Sequence, residues 1–155
     1  MLMDKEVEKR EEEVVDDVQQ EKYLTFRVGD EDYGIAIEYI SEIVGLHKIT
    51  PVPDVPPYVK GVINLRGKII PVVDMRLRLG MPERQYDERT CIIVVNIEGD
   101  LLGLIVDRVN EVTDIAQNQI EPPPAGEEEL GGMVRGLGKV GDGVKILLDV
   151  HKIMK

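Results

Sequence analysis

The sequence has no tryptophan, one phenylalanine, one cysteine and two histidines among its 155 residues. With no Trp and a single Phe, a core has to rest mainly on Ile, Val and Leu. The lone cysteine, Cys91, excludes an internal disulfide, and its place in "TCIIVVNI" suits a small buried hydrophobe. His47 and His151 lie far apart, neither has Cys or His at ligand spacing, and no H-E-x-x-H or C-x-x-C occurs, so no metal site is expected. Positive charge is outnumbered, with 19 Lys and Arg against 30 Asp and Glu. A net charge of −11 argues against a nucleic-acid partner, which would call for clustered Lys and Arg. No apolar run approaches the roughly 18 residues of a membrane span. The acidic N-terminus does not resemble a secretory signal. These absences point to a cytosolic protein that does not insert into a membrane.

Catalytic signatures are missing as well. There is no G-x-S-x-G elbow, and a cysteine in an apolar strand is disfavoured as a thiolate. "GLGKVGDG" (136–143) matches G-x-G-x-x-G, but that motif must open a helix that receives a pyrophosphate, and here the strand-like "VKILLDV" follows. It reads as a pair of glycine turns. Asp and Glu fall mostly in turns and at the N-terminus, with no pair isolated in an apolar pocket. Neither an enzyme nor a cofactor is expected.

What the chain does have is organisation. Residues 1–21 carry nine acidic and three basic residues and too few apolar ones for a core, which predicts a disordered or loosely helical tail. From Tyr23 on, short apolar runs are separated by Gly, Pro, Asn and Asp. "YLTFRV" (23–28) and "YGIAI" (33–37) alternate around "GDED", predicting a hairpin. Ile37, Ile40, Ile43 and Val44 recur at helical spacing, predicting a helical turn through "EYISEIVG". The proline-rich 50–58 predicts an ordered loop. "GVINLRGKIIPVVDMRLRLG" (61–80) predicts a second hairpin with Arg66 and Gly67 at its tip, then a helical turn stopped by Gly80.

The two halves of the chain resemble each other. "YGIAIEYISEI" (33–43) aligns with "LGLIVDRVNEV" (102–112) at one constant offset, keeping Gly34 with Gly103 and Glu42 with Glu111. "KIIPVVDM" (68–75) echoes "VKILLDV" (144–150) at a shifted offset. Two equivalent β lobes follow, with "MPERQYDER" (81–89) as the crossing between them.

These motifs carry a resemblance. The run 61–80, with "DEDYGIAIEYISEI" (30–43) near the start and "GLIVDRVNEV" (103–112) later, is similar in order and spacing to the CheW-type chemotaxis coupling proteins over about residues 22–152. The resemblance implies an all-β fold with minor helices: two packed five-stranded SH3-like β-barrel lobes, at about 22–80 and 88–150 and open to strand exchange, with a C-terminal helix. It implies a non-enzymatic adaptor between the cytoplasmic tip of a chemoreceptor and the regulatory domain of a chemotaxis histidine kinase, recruited to membrane-associated receptor arrays. That regulatory domain shares the fold. The arginine of the motif is Arg66, and its guanidinium is expected to pair with Glu42. Matching apolar stripes, Ile37, Ile40 and Ile43 in one lobe and Val106, Val109 and Val112 in the other, are expected at a receptor-binding groove between the lobes. The alternatives are a small-ligand-binding β protein and the same adaptor fold serving a chemosensory pathway other than motility.

Overall fold

The computed structural model describes residues 20–123 and 132–154. Eleven strands and one short helix are present among them: β1 (Gln20–Val28), β2 (Glu31–Ala36), β3 (Ile40–Gly45), β4 (Val59–Leu65), β5 (Lys68–Asp74), α1 (Met75–Arg78), β6 (Cys91–Ile97), β7 (Asp100–Val106), β8 (Arg108–Ala116), β9 (Ile120–Glu121), β10 (Val134–Val140) and β11 (Gly143–Leu148). One sheet has the order β8-β1-β2-β11-β10-β9, the other β3-β6-β7-β5-β4. Each closes on itself. β8 and β9 lie at opposite edges of the first sheet yet are joined by the three-residue 3₁₀ turn Gln117–Gln119, so together they act as one bent strand of a five-stranded barrel. In the second, the chain leaving β3 returns at Thr50 to pair with Val62 of β4, the opposite edge.

The lobes are therefore not successive halves of the chain. Residues 40–106 form one (the inner lobe), while β1 and β2 join β8–β11 to form the other (the outer lobe) around it. The internal repeat survives in the register. Ile40 faces Val95 and Ile43 faces Ile93 across β3 and β6, and at the equivalent positions of the other lobe Val109 faces Phe26 and Val112 faces Leu24 across β8 and β1. The later strands repeat at a slightly longer offset, with Val59–Val73 and Val134–Leu148 each followed by a register shift. Gly34 and Gly103 are equivalent because each meets a parallel neighbour closely. A Cβ on Gly103 would come within 2.8 Å of Val72 and 2.9 Å of Ile92, and one on Gly34 within 3.0 Å of Leu147.

Packing explains the unbroken apolar runs. In β6, Ile92 and Val94 point into the inner barrel with Ile63, Ile70, Val72 and Ile105. Ile93 and Val95 point the other way, into a core shared by the lobes with Leu24, Phe26, Ile35, Leu104 and Leu148. A strand buried on both faces has no polar side to alternate with. Cys91 packs half-buried against the shared core.

Three expectations need correction. The helical turn through 37–44 is a 3₁₀ turn, Ile37–Tyr39, followed by strand β3, because β6 offers a pairing edge that overrides helical spacing. The C-terminal helix is a single 3₁₀ turn, Val150–Lys152, capped by Asp149 and held by Arg78, which donates to the carbonyls of Lys152 and Ile153. Of the acidic tail, Gln20 and Glu21 already belong to β1, paired with Ala116 and Ile115, while 1–19 lie outside the described residues.

Candidate protein-interaction site

The β4–β5 hairpin is closed by Leu65 and Lys68, leaving Arg66 and Gly67 as the two central residues of its turn. Both have positive φ, 52° and 86°, as a type I′ turn requires. The Asn64 side chain supports the bend by accepting from the Gly67 amide at 2.9 Å. Gly67 tolerates this conformation freely, but an arginine in the left-handed region costs roughly 1 kcal/mol. The Arg66 guanidinium donates to the Glu42 carboxylate, as expected, though Glu42 lies on strand β3 and not on a helix. The bridge spans the mouth of the inner barrel above a depression of about 320 Å³ lined by Ser41, Leu65, Lys68, Ile70, Val94 and Leu101. In the outer lobe the equivalent turn position is Gly141, φ 57°, so Glu111 meets no such arginine. The molecule's two barrel mouths thus differ in charge and in turn geometry, since Asp142, which follows Gly141, lacks the positive φ of Gly67.

The proposed stripes are only partly superficial. Ile37 and Ile43 are exposed on the inner-lobe side, and Val112 is 53% exposed on the outer. Ile40 and Val109, equivalent in register, are half-buried against the shared core at the seam between lobes. Val106 is 1% exposed inside β7, which leaves it no surface to offer. Its equivalence to Ile37 breaks down where the chain passes from one lobe to the other. Ile69, 64% exposed just beyond the Arg66 turn, is a surface residue that the sequence motifs do not single out. The parity of "KIIPV" carries that signal, since Ile70 faces the barrel interior and its neighbour must face outward.

Two carboxylate nodes also escaped the sequence. Asp32 accepts from Arg27 (3.0 Å), Lys145 (2.8 Å) and Asn110 (3.2 Å), tying together β1, β2, β8 and β11. Burial by itself would raise its carboxyl pKa, but the hydrogen bonds and charges of Lys145 and Arg27 outweigh it and bring the value down to about 2. Asp107, the single residue between β7 and β8, receives a two-pronged bond from Arg76 (2.9 and 2.7 Å) and one from the Gly29 amide (2.9 Å). Burial opposes its ionisation too, yet these donors and the nearby Arg84 keep its pKa below the usual carboxylate value. Neither is poised as a general acid or base, because a group tuned for that work is held near neutrality. Burial pushes the Cys91 thiol up, away from nucleophilic use.

Residues 22–155 match the family model described as a CheW-like domain. The chain belongs to the CheW family. It is 36% identical over 135 residues to the chemotaxis protein CheW of Klebsiella aerogenes, covering 86% of this chain and 81% of that one. It is 35% identical over 134 residues to CheW of Helicobacter pylori, with coverage of 86% and 81%. The crystal structure of the scaffolding protein TtCheW from Thermoanaerobacter tengcongensis superimposes with a TM-score of 0.81 at 40% identity, covering 86% of this chain and 91% of TtCheW. The protein is accordingly a chemotaxis coupling adaptor, and its two β lobes are those of a CheW scaffold.

Proposed function

We propose that the chain joins the cytoplasmic tip of a chemoreceptor to the regulatory domain of a chemotaxis histidine kinase, as a non-enzymatic scaffold in the cytoplasm recruited to membrane-associated receptor arrays. Among the described residues no helix is long and apolar enough to cross a membrane. The observation that carries the reading is Arg66. A non-glycine residue sits at a left-handed turn position where the repeat uses glycine, its side chain is 68% exposed, and Glu42 is its one side-chain partner among the described residues. A guanidinium has five donors in a rigid fork, so most remain for an acceptor on a partner. An exposed pair of this kind is worth only about 0–1 kcal/mol to the fold, too little to account for an arginine where glycine would relax the backbone. The seam residues Ile40 and Val109, with exposed Ile37, Ile43 and Val112 on their strands and turns, supply an apolar groove for the helical hairpin of the receptor tip.

The test is a charge cycle, with receptor-tip and kinase-domain binding measured separately for Arg66→Glu, Glu42→Arg and the double variant. Each single change is expected to weaken at least one partner about tenfold, about 1.4 kcal/mol, and the double to recover part of the loss. Strictly additive losses remove the pairing. Unchanged binding in both single variants removes the site.

A further inference from the structure

Because the inner lobe is inserted into the outer one, two connections cross between them: the 3₁₀ turn Ile37–Tyr39 and the single residue Asp107. They are equivalent in the repeat, since the offset that pairs Gly34 with Gly103 also pairs Glu38 with Asp107. Their chemistry is unequal. Glu38 is exposed and makes no side-chain hydrogen bond among the described residues. Asp107 is only 15% exposed at its side chain, and its single carboxylate is fastened on both sides of the crossing. Arg76 of α1, which continues from β5 of the inner lobe, forks onto both oxygens. Gly29, in the β1–β2 turn of the outer lobe, donates its amide to Oδ2. The backbone joins in, since the Asp107 amide donates to the Arg27 carbonyl of β1 at 3.0 Å. Arg84, from the segment after α1, adds its charge at 3.7 Å.

The shared apolar core resists separation of the lobes but is not directional. A planar fork against a carboxylate is directional, and it defines one rotational setting. Two residues beyond Asp107 lies Val109, at the seam where the receptor is placed by the reading above. We propose that Asp107 is a positioning residue, a clasp that sets the angle between the lobes and with it the width of the receptor groove. At the other crossing Glu38 carries no such bond and Tyr39 is held by packing, edge-on to His151 at 5.3 Å and against the shared core, so the directional polar contact lies on the Asp107 side. The link to the receptor rests on the groove reading; the clasp itself does not.

Residual dipolar couplings of the whole protein report lobe orientation directly, with no partner present. One alignment tensor is expected to fit both lobes of the natural protein and of Glu38→Gln, whereas Asp107→Asn is expected to need two. Arg76→Lys keeps the charge but loses the fork, and is expected to behave like Asp107→Asn; it replaces that variant if the latter does not fold. Receptor-tip affinity in the same variants is expected to fall about tenfold, with kinase-domain binding less affected. A single tensor in the clasp variants overturns the proposal and reduces Asp107 to an ordinary structural ion pair. Two tensors with unchanged receptor affinity keep the clasp and overturn its link to the groove.

Discussion

Arg66 shows how one residue can be read for function against its own repeat. Replacement by glycine removes the left-handed strain of roughly 1 kcal/mol and sacrifices a bridge worth about 0–1 kcal/mol. Thermal melts of Arg66→Gly should therefore stay within about 4 °C of the natural protein, while Arg66→Ala, which keeps the strain and loses the bridge, should melt lower than Arg66→Gly. Binding should suffer in both. Asp32 behaves oppositely, since its contribution is to stability. Its carboxyl pKa is lowered from 3.8 to about 2, so the stability it contributes is complete above 3.8 and is lost as the pH falls through 2. Asp32→Asn should cost about 2 kcal/mol at neutral pH, and urea midpoints of the two proteins should converge below pH 3.8 and meet near pH 2. The Arg66–Glu42 bridge was legible because a turn motif and a family pattern both flag it. Asp32 and Asp107 were not, because their partners lie up to 113 residues away and no local spacing records such a contact.

At the level of elements, alternation and turn chemistry identified the hairpins, and the repeat identified the matching pairs. The segment 37–44 reads as helical because β3 is an edge strand with a register shift between Ile40 and Glu42, which breaks period-two alternation and leaves apolar residues three apart. A bulge and a helical turn look alike in so short a window. The repeat glycines are more informative than their neighbours, since each marks a crossing of parallel strands. Gly103→Ala drives its new methyl against Val72 and Ile92 at once, whereas Gly34→Ala presses only on Leu147, with Tyr23 at an ordinary contact distance of 3.6 Å. Denaturant unfolding should register about 1–3 kcal/mol for Gly103→Ala and a smaller loss for Gly34→Ala. Equal losses would mean that the two sites are less tightly matched to their neighbours than these distances indicate.

For the whole molecule, two lobes were legible and their boundaries were not. Similarity between halves suggests successive units, but strand pairing depends on three-dimensional closure, and here β1 and β2 close a barrel with strands from the far end of the chain. The shared core makes the seam both structural and available, which sharpens the groove test. Ile40→Asn and Val109→Asn place an amide at half-buried positions, so each should cost about 1–3 kcal/mol of stability. If the groove reading holds, receptor-tip binding of the still-folded variants should weaken by about 2 kcal/mol or more. Binding that falls only in step with the unfolded fraction would assign both residues to the core alone.

Insertion of one lobe within the other has a consequence for the order of synthesis. A ribosome releases "YLTFRV" and its hairpin partner before the inner lobe, yet the strands that flank them, β8 and β11, are translated only after it. The inner lobe has all its strands as soon as residue 106 has emerged, so it can fold while the chain is still growing. Until β8 and β11 follow, the first hairpin waits with its edges unpaired and Leu24, Phe26 and Ile35 uncovered. The nascent protein is thus most vulnerable to misassociation at this first hairpin, and the time needed to translate from β8 through β11 sets how long that exposure lasts after the inner lobe is complete.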